Sequence, residues 1–419
     1  MSKHSERAIV FLVGAVQFVN ILDFMMVMPL GPDFARALGI PTSHLGYIGG
    51  AYTAAASVAG LAGSLFLDRF DRRKALAVAM LGLVIGTAAG GFATGLPSLM
   101  AARVLAGLFG GPATSLAFSI IADSVPAERR GRAMGAVMGS FSIASVFGVP
   151  IGLELARRGG WQTPFFAVAA LGAVVAALAI FLLPPMRVHL ENRASQEPLP
   201  FSHLLKSPLV RLSYLMTALV MMGGFILIPN ISAYVQLNLG YPRDRIFLLY
   251  AAGGIVSLGA TRVAGWMVDK RGALRTGSLG VGILAVVTFF GFAHYLPGLP
   301  VLAIFIGFML GNSFRNVTYN TLTTRVPSPS ERARFMSLQS AIQHLAAALG
   351  AFLSSRMLSE RADGALVGIP AVAMVSIGMS LTLPWLFWKV EEGLKRRSSL
   401  PTPPAAVVVA AVPEAAEAA

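Results

Sequence analysis

The stretch Ser64-Leu-Phe-Leu-Asp68-Arg-Phe-Asp-Arg-Arg-Lys-Ala-Leu76 decides how this chain is read. Six of the seven residues from Asp68 to Lys74 are charged. A long apolar run lies on each side, roughly Gly46–Leu67 and Ala75–Thr94. Dense charge between two runs of spanning length predicts a tight loop at a membrane surface. A related stretch, Gly265-Trp-Met-Val-Asp-Lys-Arg-Gly-Ala-Leu-Arg275, places Asp269 201 residues after Asp68.

Composition agrees with a membrane protein. The 419 residues are 55% hydrophobic and 12% charged, where an ordinary soluble domain is about 25% charged. Mean hydropathy is +0.71. The first apolar run, Ala8–Leu30, is long enough to span and ends without a small-residue cleavage motif, so we expect no cleaved signal peptide. Cysteine is absent, which removes disulfides, thiolate metal sites and thiol nucleophiles. The six His lack metal-ligand spacing, and no phosphate-binding Gly-x-x-x-x-Gly-Lys-Ser/Thr loop occurs. We expect neither cofactor nor metal, and no enzyme.

Twelve apolar runs read as helices, because lipid forces backbone polar groups to bond within a segment. They cover about 8–30, 44–67, 75–95, 98–122, 133–156, 163–183, 209–234, 246–268, 277–296, 299–322, 335–357 and 368–388. With the N-terminus cytoplasmic, 22 of the 33 Lys and Arg fall in inner segments and 7 in outer ones. That bias predicts both termini inside and accounts for the +14 charge without nucleic acid. The expected organisation is a six-helix bundle over 1–183, a cytoplasmic loop over 184–207, a second bundle over 208–390 and a disordered tail over 391–419.

The 201-residue interval recurs. Val125-Pro126 is repeated at Val326-Pro327 and Gly110 at Gly311, while Glu128 falls near Glu331. Repetition at equivalent junctions predicts duplication. Six helices per half make the repeats parallel, an arrangement that typically encloses a midplane site.

At this point the chain resembles the major facilitator superfamily over about residues 8–390. Ser64–Leu76 resembles its loop motif Gly-x-Leu-x-Asp-Arg-x-Gly-Arg-Lys-x-x-Leu, with Ser64 and Asp71 where the family has Gly. Leu99-x-x-x-Arg103-x-x-x-Gly107-x-x-Gly110-Gly111 resembles the fourth-helix motif of proton-coupled members, and Ala106 stands where Gln is common. Asn20–Pro32 looks like the first helix of the twelve-span drug:proton antiporter group. Gly148-Val-Pro150-Ile-Gly152 matches the antiporter motif of helix 5 only in part, lacking the Gly-Pro pair. The resemblance implies an all-α membrane protein of twelve transmembrane helices in two pseudosymmetric bundles. It also implies secondary transport by alternating access. The expected activity is proton-coupled efflux of small apolar or amphipathic compounds from the inner (plasma) membrane. The expected partners are substrate, protons and the lipid bilayer, with the chain a monomer. A uniporter or proton symporter for sugars or other metabolites stays open. A non-transporting receptor would normally need a larger soluble domain.

Asp23 is the only acid well inside an expected span. A carboxylate in hydrocarbon costs about 2.5–3.5 kcal/mol on insertion scales, so it should face the bundle interior. Gln17, Asn20 and Asp23 form one polar stripe. Asp23 is read either as the proton carrier or as a structural acid in a hydrogen-bond network. Arg103 sits at a compatible depth, about 7–8 Å from the outer end of its helix. It can pair with Asp23, as the resemblance implies, or reach the outer headgroups. Arg315, near mid-span, has no acid at its depth in the second half; it is read as an anion-binding residue or as a cap for neighbouring carbonyls and Asn side chains. Asn20, Phe24, Met28, Met222, Asn230 and Asn316 complete the expected cavity. At the cytoplasmic surface Asp68, Arg72, Asp123, Asp269 and Arg271 form the expected gate. There Asp68 and Arg72 either latch the closed inner side or simply hold a loop inside.

Overall fold

The computed structural model describes residues 3–186, 201–328 and 331–399. Among these, twelve long helical spans carry the fold. They are α1 (Lys3–Val27), α2 (Leu45–Phe66), α3 (Arg72–Gly91), α4 (Leu96–Ser124), and α5, built from Ala127–Met138 and Val149–Gly159. The first half ends with α6 (Thr163–Leu182). The second half holds α7 (Pro208–Phe225, continued to Asn238), α8 (Ile246–Arg271), α9 (Ala273–Thr288), α10 (Val301–Arg325), α11 (Arg332–Met357) and α12 (Ile369–Leu381, continued by Leu383–Ser399). Ten of these spans are apolar enough to cross a membrane by composition alone. The other two are α2, rich in Gly, Ala and Tyr, and α11, which carries Gln339, Gln343 and His344. These two helices pack along one another.

Alternating direction puts both described ends at one face, here the termini face, and the α1–α2 connection at the far face. Phe11, Phe147, Phe181 and Ile255 point outward and exposed, as lipid-facing positions do.

Two departures from the expected boundaries have local causes. Phe201–Lys206 is a short helix within the expected central loop, most of which lies outside the described residues. The last helix runs through Ser399 into the segment expected to be disordered. Glu391–Lys395 and Glu392–Arg396 pair one turn apart there, and Arg397 Nη1 donates to the Val326 carbonyl at 2.9 Å. Residues 400–419 of that tail are outside the described residues.

The two copies of the charged loop are built differently. Gly272 holds φ +87°, a left-handed conformation that favours glycine. Asp71, 201 residues earlier, stands at φ −55° instead. Its carboxylate caps α3 by accepting the Arg73 N–H at 2.9 Å, and it also accepts the Met186 N–H at 3.3 Å. The Asp at a family Gly is thus an N-cap that ties α3 to the segment after α6. We predict that Asp71→Ala lowers stability by about 1 kcal/mol while Asp71→Asn keeps most of it; thermal melting in detergent measures both.

Among the described residues, the hydrogen bonds and ion pairs joining the two halves run from mid-membrane to the far face. Ser57 Oγ donates to the Ala341 carbonyl at 2.8 Å, and Ser232 Oγ to that of Pro29 at 2.7 Å. Arg243 Nε donates to Asp33 Oδ1 at 2.7 Å, and Thr42 donates its N–H to the Glu360 carboxylate. Glu360 is placed by a two-residue antiparallel pair, Ser359–Glu360 with Leu366–Val367. Helix crossings supply the rest. A Cβ on Gly46 would sit 2.2 Å from the Ala351 carbonyl oxygen of α11. One on Gly254 of α8 would sit 3.0 Å from Ser145 O, within the π-helical turn Ala144–Gly148 of α5.

Candidate proton and substrate site

Asp23 lies near the far-face end of α1 and is fully buried. Arg103 lies seven residues into α4, about 10 Å along its axis, and is also fully buried. The two form an ion pair, with Nη2 on Oδ2 and Nη1 donating to Oδ1 at 3.1 Å. Thr87 of α3 donates its hydroxyl to Asp23 Oδ1 at 2.7 Å. The Tyr52 ring of α2 lies 5.0 Å from the guanidinium carbon, within cation–π range. Tyr52 also donates to Asn20 Oδ1 at 2.8 Å, and Asn20 Nδ2 lies 2.6 Å from Thr114 Oγ1 and 3.0 Å from the Gly110 carbonyl. Four helices thus converge on one carboxylate. Gly110 makes room for this, because a Cβ there would sit 2.3 Å from the Tyr52 hydroxyl. We predict that Gly110→Ala, which forces Tyr52 and Asn20 apart, reduces transport by tenfold or more with little loss of expressed protein; initial-rate uptake by reconstituted vesicles measures it.

Charge burial of this kind is tolerated only with a partner and further hydrogen bonds. Asp23 has both. Arg103 Nε has no hydrogen-bond partner among the described residues, so the guanidinium is held mainly by Asp23.

The other expected site residues fall into three groups. Phe24 stands at the seam between the halves, its ring 5.2 Å from Tyr52 and 5.8 Å from Phe225 of α7. Met28 packs against Gly49 of α2, and the Met222 backbone against Gly350 of α11. Asn230 is buried and donates to Ser354 Oγ at 2.9 Å. These three lie at helix contacts on or above the midplane. Arg315 and Asn316 lie on α10: Arg315 is buried and its Nη2 donates to Asn312 Oδ1 at 2.7 Å, and Asn316 Oδ1 has no partner among the described residues. Gln17, on the expected stripe, is buried too.

At the termini face, Arg72 Nε donates to Asp123 Oδ2 at 2.7 Å. Both belong to the first half, so this pair does not depend on how the halves meet. The side chain of Asp68, the other half of the expected latch, is outside the described residues. Asp269 is exposed, and Arg271 lines a surface groove with Arg275, Glu391 and Lys395 rather than pairing with Asp269.

Sequence reasoning missed Thr87, Tyr52 and the Asp33–Arg243 pair. Thr87 carried one signal: Thr288 repeats it at the 201-residue interval. Asp33 and Arg243 carried another, being opposite charges in far-face connections of opposite halves.

The family model described as Major Facilitator Superfamily matches residues 13–351, and again 214–412. The chain belongs to the major facilitator superfamily. It is therefore a multi-pass integral membrane transporter and not an enzyme. An uncharacterized MFS-type transporter of Bacillus subtilis, YwfA, is 26% identical over 370 residues, covering 86% of this chain and 87% of that one. A chloramphenicol resistance protein of Streptomyces lividans is 28% identical over 274 residues, covering 62% and 67%. Among solved structures, a bacterial homologue of the human lysosomal transporter Spinster, crystallised inward-facing and unoccupied, superposes with a TM-score of 0.72. It is 16% identical and covers 97% of this chain and 100% of its own.

Proposed function

We propose that this chain is a proton-coupled exporter of small apolar or amphipathic compounds, with Asp23 and Arg103 as the coupling pair. The observation that carries this reading is the fully buried Asp23–Arg103 ion pair, linked through Tyr52 and Asn20 to the seam between the halves. An ionisable group buried at membrane depth is functional by default. The relative named for chloramphenicol resistance supports a drug-like substrate.

With both termini cytoplasmic, in the inner membrane, the far-face closure makes this the inward-facing arrangement. In the proposed cycle Asp23 is ionised and bound to Arg103 while substrate enters from the cytoplasm. Opening the far face admits a proton. The neutral acid releases Arg103, and the rearranged network expels substrate outward. Re-closure at the far face returns the proton to the cytoplasm, where Asp23 ionises again. Asp68 and Arg72 act in the same cycle as part of the termini-face gate.

The test is a proton-flux assay in proteoliposomes of known orientation across a panel of lipophilic cations, neutral drugs and sugars. Export predicts that adding substrate on the termini side drives protons the opposite way. Proton movement in the same direction as substrate marks a symporter, and substrate flux with no proton movement marks a uniporter.

A further inference from the structure

The second half holds a cavity of about 10 Å³ enclosed by α7, α9, α10 and α12. Its wall includes Gly224, Thr288, Asn312, Arg315 and Ser380. Two of these are copies of the proton site. Gly224 stands 201 residues after Asp23, and Thr288 stands 201 residues after Thr87. Arg103 has an apolar counterpart, Ile304, and the cation is supplied from Arg315 instead. Helical side chains lean toward the N-terminus of their helix. Arg315 accordingly reaches toward the far face, and its Nη2 would lie 3.4 Å from a Cβ on Gly224. The second half therefore repeats the hydroxyl and the guanidinium of the first but has glycine in place of the carboxylate.

Arg315 is 4% exposed, and its Nε has no hydrogen-bond partner among the described residues. Its one hydrogen bond to another side chain goes to neutral Asn312, and no carboxylate among the described residues pairs with it. A buried guanidinium in that condition carries a desolvation penalty of several kcal/mol. Its planar set of donors matches a carboxylate or a compact anion. Thr288 and Ser380 are buried hydroxyls on the same wall.

We propose that this cavity binds a small monovalent anion on Arg315 and Thr288, in the place that the Asp23 carboxylate fills in the first half. A volume of about 10 Å³ is close to the minimum for one water. The site therefore excludes sulfate and phosphate, and a halide or the carboxylate end of a slender molecule is the largest anion it accepts, seated by a slight outward shift of the wall. The proposal stands apart from proton coupling at Asp23, because it is read by binding rather than by transport.

The experiment measures thermal unfolding of the full chain in detergent. Chloride, acetate or sulfate is titrated at constant ionic strength against methanesulfonate, which carries no carboxylate and has a tetrahedral head like that of sulfate. Wild type should gain about 2 °C or more with chloride or acetate and nothing with sulfate. Arg315→Met removes the cation and should abolish the gain. Gly224→Asp supplies the carboxylate from the chain itself; its Cβ meets only ordinary contacts, at 3.4 and 3.6 Å. This variant should be stable without added anion and indifferent to it. A response to chloride identifies free halide as the ligand, and a response to acetate alone identifies an organic carboxylate. An unresponsive wild type overturns the proposal, as does a wild-type response in both variants.

Discussion

Asp23→Asn is expected to leave an inserted, folded protein that no longer moves protons when substrate is added. Asn keeps the shape and one carbonyl oxygen for Thr87 and Arg103 but cannot ionise. In the proposed cycle the carboxylate holds Arg103 when charged and releases it when protonated. In the variant the interaction is fixed at the weaker level at all pH values, so the step that reads the proton is lost. Substrate-coupled proton flux in proteoliposomes should fall at least a hundredfold, while passive substrate exchange survives. The variant also leaves a buried guanidinium without its counter-charge, a change worth about 3–5 kcal/mol of stability at most. Asp23→Asn combined with Arg103→Gln removes that penalty and should recover much of the melting temperature without recovering coupling. Full proton movement by Asp23→Asn would sink the assignment; recovery of coupling in the double variant would reduce the pair to a structural role.

The second large effect concerns the far-face closure. Gly46→Leu places a side chain where α2 meets the α11 backbone, since even a Cβ would lie 2.2 Å from a carbonyl oxygen. A main-chain oxygen cannot swing aside as a side chain can. Overpacking of this kind costs about 1–3 kcal/mol or more. The penalty applies only while the halves meet at the far face, so it acts as a bias between states: about tenfold to a hundredfold in population, at 1.4 kcal/mol per factor of ten. The native chain has no cysteine, so a single reporter needs no prior removal. Ser232→Cys, buried against Pro29 where the halves meet, should react with a bulky impermeant maleimide at least tenfold faster in the Gly46→Leu background. Equal labelling rates with undiminished transport would show that this crossing does not control the closure.

The repeat was the most legible feature, because two equivalent loops must carry equivalent charges to stay on one side of a membrane. Asp68 and Asp269 mark it without any structure. The candidate site was legible only in part. Asp23 and Arg103 stand out because charge is rare in apolar helices, and depth follows from counting residues at a constant rise. Thr87 and Tyr52 do not stand out, since a hydroxyl in a membrane helix can bond its own backbone and need not mark a site. Met28 and Asn230 were expected at a cavity, and the structure places them against Gly49 and Ser354; spacing gave depth but not the direction each side chain faces. Asp71 stood out in the sequence only as a replacement for a family glycine. Its capping role depends on a backbone angle, and no residue pattern supplied that.

By itself, then, the sequence determined the class, the twelve spans, the duplication and the two charges able to pair at one depth. All of these follow from hydrophobic length, charge distribution and periodic rise, properties local to each helix. Tertiary structure alone decided which helices share the Asp23 carboxylate, that the halves close at the far face, and that a second guanidinium faces a cavity where the repeat has lost its acid. Those depend on how each helix is rotated about its axis and which helix lies beside it. Rotation and neighbourhood come from packing between segments far apart in the chain, such as Gly46 against Ala351, and packing acts only once the helices are assembled.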